Sequence, residues 1–162
     1  MGFSLHVVCV FGEGKCPLLA VSRHRLNGIY FSTMIKKYLH TRFRVSDMDL
    51  SIRFYRDILG MEVLEQKTSP RGSILVFLRF PDTQCELELC SFPDSGKVEV
   101  PEDLVHLAFE VENLDNCIFK LEHARIPITE GPIETSNGTR FIFTEDPDKY
   151  EIELMQLAHR RH

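Results

Sequence analysis

Apolar and polar positions alternate along this chain in short runs broken by helical stripes. In "LHTRFRV", Leu39, Thr41, Phe43 and Val45 point one way and His40, Arg42 and Arg44 the other, the period of a strand with one polar face. Ser46 or Asp47 then offers an N-cap, Met48, Ile52, Tyr55 and Leu59 recur at helical spacing, and Gly60 supplies a stop. Extended segments follow at about 61–68, 72–79 and 84–92.

The same order then recurs. "HTRFRVSDMD" lies over "HLAFEVENLD" at an offset of 66, which matches His40 with His106, Phe43 with Phe109, Val45 with Val111 and Asp49 with Asp115. Asn113 is the second N-cap, Leu114, Ile118 and Leu121 form the second stripe, and Pro127 lies beyond its end. Three more extended segments are expected near 127–130, 139–144 and 149–157. The pattern predicts an α+β fold of two tandem βαβββ modules, about 38–92 and 104–157, forming curved mixed sheets. A module of this size buries too little surface to stand alone, so the two should pack on one core with their helices covering the apolar faces. The turn-rich "SFPDSGKVEVPED" joins them.

Alternation also decides which charges leave that core. In "CELELC", Glu86 and Glu88 oppose Leu87 and Leu89; in "YEIELM", Glu151 and Glu153 oppose Ile152 and Leu154. His40 and His106 lie on the polar face of the first strand of their modules, 48 and 47 residues before Glu88 and Glu153. A lone strand glutamate is usually a solvated edge charge, and a lone histidine a satisfied polar residue. Recurrence of both at matched places favours a site. If the modules pair with pseudo-twofold symmetry, two His and two Glu converge. Such an N2O2 set suits one divalent transition metal, nickel or cobalt first and zinc next, with positions open for substrate. Spacing alone leaves Glu86 and Glu151 as rival ligands.

Composition narrows the class. The 162 residues suit one domain, and 43% apolar and 27% charged residues with a net charge of -5 of mixed sign speak against nucleic acid as a partner. Five cysteines without a C-x-x-C pair suit reduced thiols in cytoplasm. No run reaches the roughly 18 apolar residues of a membrane span. Residues 1–33 lack a basic n-region and a clear cleavage site, and are expected to be an extension outside the fold, with the domain at 34–162.

"HTRFRVSDMDLSIRFYRDILGMEV", "ELEL", "HLAFEV" and "EDPDKYEIEL" resemble the glyoxalase I (lactoylglutathione lyase) family of the vicinal oxygen chelate superfamily, over about residues 38 to 157. The resemblance implies His40, Glu88, His106 and Glu153 as metal ligands and so chooses between the neighbouring glutamates. It implies Glu153 as catalytic base with Glu88 as its counterpart, and Arg44 as a contact of the glutathione carboxylate. It also implies a homodimer, often with each site assembled from two chains, a nickel or cobalt preference, and methylglyoxal detoxification. The family's reaction isomerises the hemithioacetal of methylglyoxal and glutathione to lactoylglutathione through an ene-diolate. The chain departs from the family after Glu88, where Leu89, Cys90, Ser91 and Phe92 replace Leu-Thr-(His or Tyr)-Asn-Trp and remove the asparagine that grips glutathione. Ile133, Glu134 and Thr135 follow Pro132 without the usual basic residue, Lys149 replaces a glycine, and Arg140 is the candidate to compensate. The alternatives are an epimerase, thiol transferase or ring-cleaving dioxygenase of the same fold, or a member that binds a ligand without catalysis. Glu88 argues against the epimerase and dioxygenase patterns, and retention of all four ligand types against the last.

Overall fold

In the computed structural model, which describes residues 24–26, 29–31, 35–80, 83–92, 94 and 96–158, the repeat becomes two sheets of identical strand order. Two short strands, β1 (His24–Leu26) and β2 (Ile29–Phe31), pair antiparallel and belong to a separate unit, Met1–Tyr38. The rest of the extension expected over 1–33 lies outside the described residues.

The unit Leu39–His162 holds both modules. The first runs β3 (His40–Arg44), α1 (Met48–Arg53), β4 (Glu62–Thr68), β5 (Ile74–Arg79) and β6 (Glu86–Ser91). The second runs β7 (His106–Glu110), α2 (Leu114–His123), β8 (Ile128–Glu134), β9 (Arg140–Glu145) and β10 (Glu151–Gln156). The sheets read β3-β6-β5-β4 and β7-β10-β9-β8. In each, the module's first strand lies parallel to its last and the other pairings are antiparallel.

Local chemistry explains the boundaries. Asp47, rather than Ser46, caps α1 by accepting from the Leu50 amide at 2.9 Å. Ser46 instead accepts from the Val98 amide at 2.7 Å and donates its own amide to Asp148 Oδ2 at 2.9 Å, so it ties the first module to the connection and to the second module. Asn113 caps α2 through the Asn116 amide. The apolar stripe from Met48 to Leu59 is not one uniform α-helix. A π-helical turn continues it over Phe54–Ile58, with the Leu59 amide donating to Phe54 O, and this wider turn carries two adjacent residues, Phe54 and Tyr55, into the core. Gly60 stops it at φ +82°, while the corresponding end of α2 puts Arg125 at φ +58°. Lys149 also sits at a glycine-favouring φ of +78°.

The apolar faces merge into one core. Phe43, Val45, Phe54, Tyr55, Leu87 and Leu89 of the first module pack in a single cluster with Leu114, Leu121, Ile142, Ile152 and Leu154 of the second. Tyr150 stacks on Phe43 at 3.8 Å between centroids. Below this lies a buried polar clamp. Tyr55 Oη donates to Asp146 Oδ2, and the Asp148 and Tyr150 amides donate to Asp146 Oδ1, each at 2.9 Å. Burial pushes the Asp146 carboxyl up to about 6 although all three donors favour its ionised form. Burial, reinforced by Asp146, raises the Tyr55 phenol well above its ordinary value. Among the described residues, no helix is long and apolar enough to cross a membrane, and Cys85, Cys90 and Cys117 are free thiols.

Candidate functional site

The parallel pairing of first and last strands brings each histidine to its glutamate. Register sets Glu86 opposite His40 and Glu88 opposite Arg42. The imidazole leans along the strand and meets the further carboxylate, His40 Nε2 to Glu88 Oε2 at 2.9 Å. The second module repeats this: Glu151 faces His106, Glu153 faces Ala108, and His106 Nε2 reaches Glu153 Oε2 at 3.5 Å. Among the described residues the histidine ion pairs are made to Glu88 and Glu153, not to Glu86 or Glu151, which are half-buried. Glu88 is 1% exposed and the Glu153 side chain 12%, while His40 and His106 keep one side open at 34% and 50%.

Each pair also carries an aromatic wall that strand alternation did not single out. Phe77 stands edge-on to His40 at 5.8 Å, and Phe143 edge-on to His106 at 5.9 Å. Both come from the strand beyond the glutamate, opposite Glu88 and Glu153 in register. The same offset of 66 that matches the histidines matches Phe77 with Phe143, and this was the signal available in the sequence. The two pockets differ in one place. Arg42 Nε and Nη2 both lie 2.8 Å from Glu88 Oε1, whereas the position opposite Glu153 is Ala108.

The donor chemistry fits a divalent cation. Neighbouring donors around an octahedral ion with bonds of about 2.1 Å lie about 3 Å apart, and the His40–Glu88 contact of 2.9 Å has this span. The convergence of all four ligand types is not reached inside one chain. Among the described residues no three His, Cys, Asp or Glu side chains gather into one cage. The reason is topological, since each His–Glu pair belongs to its own sheet.

Arg44 and Phe92 meet: the guanidinium lies over the ring, 4.6 Å from its centroid. Arg140, the candidate to compensate for the missing basic residue, lies at the start of β9. It grips Asp115 through two hydrogen bonds of 2.8 and 3.1 Å, an exposed pair in which each group strengthens the charged form of the other.

The profile of the Glyoxalase/Bleomycin resistance protein/Dioxygenase superfamily matches residues 37–154. A probable lactoylglutathione lyase of Synechocystis sp. is 34% identical over 127 residues, covering 76% of this chain and 97% of that protein. A lactoylglutathione lyase of Neisseria meningitidis is 32% identical, over 74% of this chain and 90% of its own. Among solved structures, the trypanothione-dependent glyoxalase I of Leishmania major superposes with a TM-score of 0.65 at 32% identity, covering 75% of this chain and 87% of that one.

Proposed function

The chain belongs to the Glyoxalase/Bleomycin resistance protein/Dioxygenase superfamily, and from that membership we propose a metal-dependent lyase of the lactoylglutathione lyase type, converting the hemithioacetal of methylglyoxal and glutathione to lactoylglutathione. The observation that carries it is the recurrence of a His–Glu pair, walled by a phenylalanine, at the same place in both modules. His40, Glu88, His106 and Glu153 hold one divalent ion per site, nickel or cobalt before zinc. Because the two pairs lie on separate sheets, the first module of one copy and the second module of another complete the set in a homodimer. The protein works in cytoplasm, where its thiols stay reduced.

When bound, the cation supplies electrostatic stabilisation of negative charge on two adjacent substrate oxygens. The chain's own groups do the rest. Glu153 removes the proton from the carbon that bears sulfur and returns it to the neighbouring carbon, a transfer that conserves atoms and electrons. Phe77 and Phe143 hold the imidazole rings and exclude water from the glutamates. Arg44 meets a carboxylate of the thiol.

Protein purified without chelator should contain stoichiometric nickel, cobalt or zinc and form thioester from methylglyoxal and glutathione, and a chelator should abolish turnover. A fully loaded protein without thioester formation overturns the substrate assignment. Phe92 beneath Arg44 favours a second reading, the same reaction on a thiol less polar than glutathione. A panel of thiols at equal methylglyoxal separates the two.

A further inference from the structure

The two half-sites are near copies, yet their glutamates are not held alike. Glu88 has both oxygens engaged: Oε1 by the Arg42 fork at 2.8 Å from two nitrogens, and Oε2 by His40 at 2.9 Å. It is also 1% exposed. Glu153 faces Ala108, is approached by His106 at 3.5 Å, and is more open at 12%. Arg42 and Ala108 are matched by the offset of 66, so this single position breaks the symmetry of the site.

We propose that Arg42 is a positioning residue that pins Glu88 and thereby assigns proton transfer to Glu153 alone. A carboxylate can receive a proton from carbon only through an oxygen that is free to approach it. With Oε1 in the guanidinium fork and Oε2 turned to the ligand histidine, Glu88 has no such oxygen and serves only to hold the ion. Glu153 carries no fork and keeps one oxygen for the substrate. Removing the fork releases Glu88 to act as a second base. The inference rests on the lyase reading for its kinetic consequence, and on geometry alone for the pinning.

The test combines a double-mutant cycle on nickel-saturated protein with a measurement on the metal-free natural chain. In the natural background, Glu153→Gln is expected to lower kcat by about 100-fold or more and Glu88→Gln by less than about tenfold. In an Arg42→Met background the penalty of Glu153→Gln should shrink below about tenfold, and Arg42→Lys should restore most of it. Equal penalties for the two glutamates in the natural background, or an unchanged Glu153 penalty after Arg42→Met, overturn the proposal. Should Arg42→Met fail to fold, the second arm still decides. In 15N-labelled metal-free protein the Arg42 Nε–H resonance should be protected from solvent exchange, and Glu88→Gln should remove that protection. An unprotected resonance in the natural chain overturns the pinning whatever the activity. Protection together with no turnover by loaded natural protein sustains the pinning and overturns the lyase reading instead.

Discussion

Tyr55 and Asp146 are 91 positions apart and share a buried hydrogen bond of 2.9 Å that crosses from the first module to the second. It is the polar counterpart of the stack between Phe43 and Tyr150. Tyr55→Phe keeps the ring in the core and leaves Asp146 with its two backbone donors. Chemical denaturation should show a loss of about 1–2 kcal/mol with the slope unchanged. No loss would mean that the clamp does not contribute to holding the modules.

The same aspartate sets a pH dependence. Its folded carboxyl is raised from an ordinary 3.8 to about 6, so the folded chain binds this proton more tightly than the unfolded one. The resulting stability is fully present below the ordinary value and is lost as pH rises through about 6. Asp146→Asn should flatten this decline, and the two melting curves should differ by on the order of 2 kcal/mol in their change between pH 4 and pH 7. Parallel pH profiles for the two proteins would exclude Asp146 as the titrating group.

Assembly of the site from two copies has a sign-definite consequence. His40→Ala and His106→Ala should each abolish tight nickel binding as homodimers. Mixed after subunit exchange, they form heterodimers with one doubly damaged and one intact site, and about a quarter of the natural nickel capacity should return. Assembly within one chain predicts no recovery at all.

Glu153→Gln preserves shape and an oxygen donor but cannot accept the substrate proton. Turnover should fall by about 10²–10⁴-fold while the melting temperature stays within a degree or two. A variant that retains near-natural kcat would remove Glu153 as the base.

Phe92 forms an aromatic platform under Arg44, at 4.6 Å from the guanidinium, where the resembled family carries an asparagine. Phe92→Asn should lower KM for the glutathione hemithioacetal by about three- to tenfold and raise it for less polar thiols. If the ratio of kcat/KM between glutathione and such thiols does not move, the residue plays no part in thiol choice.

Much of this molecule was legible in local pattern. The period of two placed His40, Arg42 and Arg44 on one face of β3 and Glu86 and Glu88 on one face of β6; the helical stripes, the Asn113 cap and the Gly60 stop bounded the helices. The offset of 66 announced two sheets of equal design. These are nearest-neighbour properties of the backbone, fixed by how successive side chains alternate or wind, and a sequence carries them in full.

Tertiary structure alone decided matters that depend on register and on the approach of distant segments. Alternation could not distinguish Glu86 from Glu88, because both share a face; in the fold it is Glu88 that His40 meets, at 2.9 Å. The fork of Arg42 on Glu88, the Phe77 and Phe143 walls, and the Tyr55–Asp146 clamp join strands or modules whose separation no local pattern encodes. Placement of the two His–Glu pairs on separate sheets is likewise a property of the folded chain, since strand pairing is set by long-range hydrogen bonds and shared burial.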